Sequence, residues 1–134
     1  MGYGLMTVRK DTVALHGSFA APVTAQQLSE RLTDVLNRTP LHCASEQAPD
    51  LIRTVAWCTG GGQSYIELAA EAGVDAFISG EASEQTVHIA REMGMHFFAA
   101  GHHATERFGV KALGKWLHSA YGLHVTFIDI PNPV

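Results

Sequence analysis

The run Phe98-Ala99-Ala100-Gly101-His102-His103-Ala104-Thr105-Glu106 holds the residue types with the most chemistry in them. A short apolar stretch ends in glycine, two histidines follow, and a glutamate stands four residues after the first histidine. On a helix opening here, His102 and Glu106 lie one turn apart on one face. An imidazole and a carboxylate in that relation can chelate a divalent metal, or can form an exposed polar pair. His103 is offset by about 100° around the same helix, so the two histidines cannot serve one ion in the same way. Two donors also fall short of the four that zinc takes. Further donors must come from this chain, another chain or water.

Two other short segments have chemical potential. Thr59-Gly60-Gly61-Gly62 runs into Gln63-Ser64. Glycines let a backbone approach a ligand, and a helix N-terminus offers free N–H groups to an anion. The same glycines also suit a tight turn with positive φ. No Lys-Ser/Thr follows, and the dinucleotide fingerprint GxGxxG is not formed. Ser79-Gly80-Glu81 places an acid near a helix start, where the macrodipole favours it or where it can serve as a pocket carboxylate. His88, seven residues on, reads as a surface or supporting histidine.

Regular elements must bring these segments together. Val13 to Phe19 and Leu41 to Ala44 read as short strands, and Ser45 to Asp50 as a loop. Between the strands a helix opens at Thr24, with Gln27 completing a capping box and Leu28, Leu32, Val35 and Leu36 at helical spacing. Thr39-Pro40 stops it. Strands at Ile52 to Cys58, Val74 to Ile78 and Met95 to Ala100 then alternate with helices at Gln63 to Ala72, Ser83 to Met93 and Ala104 to Tyr121. Gly73, Gly94 and Gly122 end the helices, and His124 to Ile130 reads as a last strand. This order predicts an α/β layered fold, with a largely parallel or mixed sheet flanked by helices. Residues 1–11 read as a lead-in to a single α/β domain over 1–134. In such sheets ligands bind beyond the carboxyl ends of the strands, where all three segments fall.

Composition narrows the function. The 134 residues are 46% hydrophobic and 16% charged, which describes an ordinary globular domain. The net charge of -4, without a basic run longer than Arg9-Lys10, argues against a protein that holds nucleic-acid backbone. No apolar stretch nears the ~20 residues that span a membrane. Cys43 and Cys58 have no CxxC spacing, and no secretory leader is apparent. They read as reduced, buried thiols of a cytoplasmic protein.

Four runs carry a family resemblance. They are Val55-Ala56-Trp57-Cys58-Thr59-Gly60-Gly61-Gly62-Gln63-Ser64, Val74-Asp75-Ala76-Phe77-Ile78-Ser79-Gly80-Glu81, Ala100-Gly101-His102-His103-Ala104-Thr105-Glu106-Arg107 and Val125-Thr126-Phe127-Ile128-Asp129-Ile130-Pro131-Asn132-Pro133. Together they resemble the Nif-three-like family, the GTP cyclohydrolase I type 2 homologues or dinuclear metal centre proteins, in its short bacterial YbgI type. The resemblance covers residues 12–134 and matches the C-terminal half of a two-part fold. It implies a homohexameric ring and a site for two divalent metals, with Fe, Mn, Zn and Mg as candidates. His102 and Glu106 match the family's GHxxxE motif, with Glu106 expected between the metals.

The remaining family ligands, a His-His pair and a later carboxylate, belong to an N-terminal half that these residues do not match. The resemblance therefore implies a metal-dependent hydrolase of a nucleotide or related ring, with an incomplete dinuclear site in a truncated chain. Glu106 would bridge, Glu81 or His103 would assist proton transfer, and Gly60, Gly61 and Gly62 would contact a phosphate. The alternative is a non-catalytic metal-binding or oligomerising regulatory module. Loss of the other half is also expected to expose apolar surface.

Overall fold

The computed structural model of the chain describes residues 6–7 and 14–134. Its elements run β1 (Met6–Thr7), β2 (Leu15–Val23), α1 (Ala25–Leu36), β3 (Leu41–Cys43) and β4 (Ile52–Cys58), then a 3₁₀ turn (Gln63–Tyr65), α2 (Ile66–Glu71), β5 (Ala76–Ser79), α3 (Glu84–Glu92), β6 (His96–Ala99) and α4 (His102–Tyr121). Met6–Thr7 of the expected lead-in pair with β2 as an edge strand; the rest of residues 1–11 lie outside the described residues.

One mixed sheet is formed, in the order β1-β2-β4-β5-β6-β3. Its centre, β4-β5-β6, is parallel, and β2 and β3 flank it antiparallel. The central strands are apolar on both faces because helices cover both. Ala56, Cys58, Phe77 and Phe97 face Ile66, Ala69 and Ala90 of α2 and α3. Ile52, Val55, Ala76 and Phe98 face Leu28 and Leu32 of α1. Phe77, Phe97 and Phe98 are fully buried, each contributing about 1.5–3 kcal/mol.

Local sequence sets the helix starts. Thr24 and Gln27 form the expected reciprocal capping box on α1. Ser83 and Thr86 do the same for α3, in a form that Ser-x-x-Thr does not usually announce. Asn37 takes the left-handed conformation that ends α1, ahead of Thr39-Pro40. Of the predicted apolar face, Leu28 and Leu36 are buried, while Val35 is exposed. Cys58 is buried, but Cys43, on the edge strand β3, is only partly so; both are free thiols.

Asp75 staples the start of the parallel pair. Its Oδ2 accepts from the backbone N–H groups of Arg53 and Thr54, both at 2.8 Å, and from Thr54 Oγ1 at 3.0 Å. Burial pushes its pKa up, but these hydrogen bonds outweigh it and leave the group lowered from 3.8. A depressed carboxylate stabilises the fold above its unfolded pKa and loses that contribution as pH falls through the folded value. Asp75→Ala should lose about 2–3 kcal/mol in urea unfolding at pH 7. The deficit should shrink as the pH is taken below 3.8.

The last expected strand is not one. Among the described residues His124 to Ile130 has no ladder partner; the chain leaves α4 at Gly122, which is left-handed at φ +66°. It runs back along α4 as an extended strap. Val125 packs against Gly114, Phe127 lies 4.4 Å from Lys111 Nζ, and Arg107 Nη1 donates to Asp129 at 2.6 Å. Val134 O accepts from His103 N at 3.0 Å, and Arg38 donates to Pro133 O. Alternation is kept: Val125, Phe127 and Asp129 turn to the helix, while Ile128 and Ile130 are 77% and 73% exposed. A period of two signals extended backbone, whether or not a sheet receives it. Phe108, Val110, Leu113 and Trp116 of α4 are also substantially exposed.

Candidate metal centre

β4, β5 and β6 end side by side, with Cys58 opposite Ser79 and Ser79 opposite Ala99. The three following loops therefore meet, and their backbones nearly touch. A Cβ at Gly80 would lie 2.6 Å from Gly60 O and 2.9 Å from Gly60 N and Cα. Gly101 N donates to Gly80 O at 2.9 Å. Thr105 Oγ1 accepts from Gly60 N at 3.0 Å and is itself within donating distance of Gly101 O and His102 O.

Helix α4 begins at His102 rather than Ala104, with Gly101 as its N-cap at φ +96°. The earlier start puts His102 and Glu106 on the first two turns of one helix face. His102 Nε2 lies 3.1 Å from Glu106 Oε2, and His102 Nδ1 lies 2.5 Å from Glu81 Oε1. The hydrogen bond to Glu81 raises the His102 pKa, partial burial opposes it, and the Glu106 charge adds to the rise. His102, Glu81 and Glu106 all remain partly exposed.

The three glycines face inward. A Cβ at Gly60 would overlap the Glu106 carboxylate and approach His102 Nε2 to 3.1 Å; one at Gly61 would sit 3.8 Å from Glu81; one at Gly62 would overlap Cys58. At Gly60 and Gly62 the loop thus makes room for other side chains of this chain, while Gly61 leaves a Cβ only ordinary contact. The helix behind it also opens with a 3₁₀ turn and is only six residues long. His103 turns to the strap, with Nε2 at 3.1 Å from Asp129 Oδ1. That contact, followed by the bond from Arg107, holds the Asp129 carboxyl below its usual range. His88 lies on the surface, 3.8 Å from Glu84.

His102, His103 and Glu106 edge an open groove of about 690 Å³, shared with Arg107, Val110 and Phe127. Its other wall is the strap, with Ile128, Ile130, Asn132 and Val134. Glu81 lies outside this groove, in a depression beside Arg38 and Leu41. Thr105, Gln63 and the strap residues Asp129 and Asn132 were not singled out individually from sequence. Thr105 had a local signal, since a hydroxyl in a helix's first turn commonly bonds back to the preceding backbone.

The donors fit a shared cation. Ligands about 2.0–2.2 Å from an ion at tetrahedral or octahedral angles stand about 3.0–3.5 Å apart. The His102 Nε2–Glu106 Oε2 separation of 3.1 Å meets that requirement without movement. Among the described residues no group of three or more His, Cys, Asp or Glu side chains is arranged around one such point. His102 and Glu106 alone offer two donors at that spacing.

Known proteins agree with this architecture. The family model described as Duf34/NIF3 (NGG1p interacting factor 3) matches residues 6–133. A GTP cyclohydrolase 1 type 2 homolog from Vibrio cholerae is 63% identical over 123 residues, covering 92% of this chain and 49% of that protein. One from Yersinia pestis is 64% identical over 118 residues, covering 88% of this chain and 47% of that protein. The solved structure of protein ybgI superposes with a TM-score of 0.92 at 51% identity, covering 99% of this chain and 53% of that one. The chain spans about half the length of the relatives it matches. Among the described residues no helix is long and apolar enough to cross a membrane.

Proposed function

This chain belongs to the Duf34/NIF3 family, and from that premise we propose that it supplies one side of a divalent-metal centre in a hydrolase acting on a nucleotide or related ring. One observation carries the reading: both ring nitrogens of His102 face carboxylate oxygens. A neutral imidazole has one proton, and a carboxylate only accepts. The bond to Glu81 at 2.5 Å takes that proton, which leaves two lone pairs facing each other at Nε2 and Glu106 Oε2. With the ring neutral that arrangement is repulsive unless a cation is shared between them, and a divalent ion fits the spacing; below its raised pKa the ring itself carries a second proton there, with which the ion competes.

A divalent ion there supplies Lewis acidity and makes a bound water more acidic. His102 and Glu106 would hold it. Gly60 leaves the space in which that carboxylate sits. The remaining donors would come from another copy in a homo-oligomer or from the part of the longer relatives that this chain does not match. The neighbouring groove, about 690 Å³, is of a size that takes a small molecule, with Val110 and Phe127 as apolar walls.

Titration with Mn²⁺, followed by NMR, tests the reading. The His102 ring signals should broaden ahead of those of the other histidines. Uniform broadening would remove the metal assignment. Selective binding without metal-stimulated hydrolysis of any nucleotide, in this chain or in a full-length relative, would instead favour the non-catalytic metal-binding or oligomerising module. That alternative draws its support from the two-donor count.

A further inference from the structure

Glu81 is held on two sides. Its Oε1 accepts from His102 Nδ1 at 2.5 Å, and its Oε2 lies 3.4 Å from Gln63 Nε2. The Gln63 amide is oriented by this contact. Its Oε1 is buried and has no partner among the described residues. The carboxylate is therefore committed to its neighbours, and it lies at the edge of the His102 ring opposite Glu106. It does not line the groove that His102 and Glu106 share.

We propose that Glu81 is a positioning residue, not a proton-transfer base: it fixes His102 in the tautomer protonated on Nδ1, so that a bare Nε2 faces Glu106. Neither carboxylate has a proton to give, and Glu81 is the nearer, at 2.5 Å against 3.1 Å for Glu106, so the single proton of the neutral ring sits on Nδ1. The ring is then fixed in both rotation and tautomer. A carboxylate on the remote nitrogen of a ligating histidine raises the basicity of the donor nitrogen. The use to which Nε2 is put rests on the metal reading above; the tautomer does not. Gln63 completes the device, with its Nε2 3.4 Å from the second carboxylate oxygen.

The test uses the chain without metal and then with Mn²⁺. Nitrogen-15 NMR of the metal-free chain, at a pH where the ring is neutral, should show His102 protonated on Nδ1. Glu81→Gln keeps a carbonyl oxygen for that bond and should preserve the tautomer. Glu81→Ala should let the ring revert toward the Nε2-protonated form. Mn²⁺ affinity should fall about 10–100-fold in Glu81→Ala and only a few-fold in Glu81→Gln. A wild-type chain protonated on Nε2, or a Glu81→Ala variant that keeps the Nδ1 proton, overturns the proposal. So does Glu81→Gln proving as damaging as Glu81→Ala, the pattern of a lost base. If His102→Ala leaves Mn²⁺ affinity unchanged, the metal reading fails, while the tautomer still decides the role of Glu81.

Discussion

Glu106→Ala and His102→Ala are each expected to weaken Mn²⁺ or Zn²⁺ binding at least 100-fold while leaving the urea midpoint almost unmoved. With two protein donors on this side, removing one leaves an ion no chelate at all, a larger loss than the 10–100-fold typical of a supporting residue. Stability should hardly change, because the pair is partly exposed and surface ion pairs contribute about 0–1 kcal/mol. Where the ring is neutral Glu106→Ala instead relieves facing lone pairs, so its effect on the metal-free fold is small and of either sign according to pH. Isothermal titration beside urea melts separates the two quantities. If both variants unfold markedly earlier without metal, the residues hold the fold together and the ligand assignment is wrong. His103→Ala gives a contrast: it should keep metal affinity within a few-fold, since its ring is engaged by Asp129. An equal loss there would mean that the wrong histidine of the pair was assigned.

The convergence of the three loops was legible in the sequence because strand-helix alternation leaves a parallel sheet little choice of topology. β4 matches its expected bounds from Ile52 to Cys58, and the Thr24 capping box is formed as spaced. The roles of particular side chains were less legible. Gly60, Gly61 and Gly62 read as an anion loop or a tight turn because glycine reports only that space is needed. What fills the space at Gly60 and Gly62 is Glu106 and Cys58, the first of them distant in sequence. Glu81 read as a helix-start acid or pocket base because its partner, His102, is 21 residues away. The strap failed for a different reason. Its alternation is real, but alternation cannot say whether the neighbour is a strand or the flank of α4. The contacts that decide this, Arg107 with Asp129 and Val125 against Gly114, depend on where the long helix points.

Gly80→Ala should cost about 3 kcal/mol, whereas Gly60→Ala should spare much of the fold and disable the pair. The difference lies in what each new Cβ meets. At Gly80 it meets the backbone of Gly60 at 2.6–2.9 Å, and backbone cannot swing aside without parting the β4 and β5 loops. At Gly60 it meets the Glu106 carboxylate, the free end of a flexible side chain, which can move but only away from His102. Gly60 also has a φ of +63°, which adds about 1–2 kcal/mol of backbone strain. Gly73 isolates that strain. Its φ is +68° and nothing lies within 4 Å of its Cβ position, so Gly73→Ala should show the strain alone. Urea unfolding should then rank Gly80→Ala as the least stable, with Gly60→Ala near Gly73→Ala. Mn²⁺ affinity should fall sharply in Gly60→Ala and stay at the wild-type level in Gly73→Ala. Wild-type stability in Gly80→Ala would show that the loops part easily, and the tight seat of the site between β4 and β5 would have to be given up.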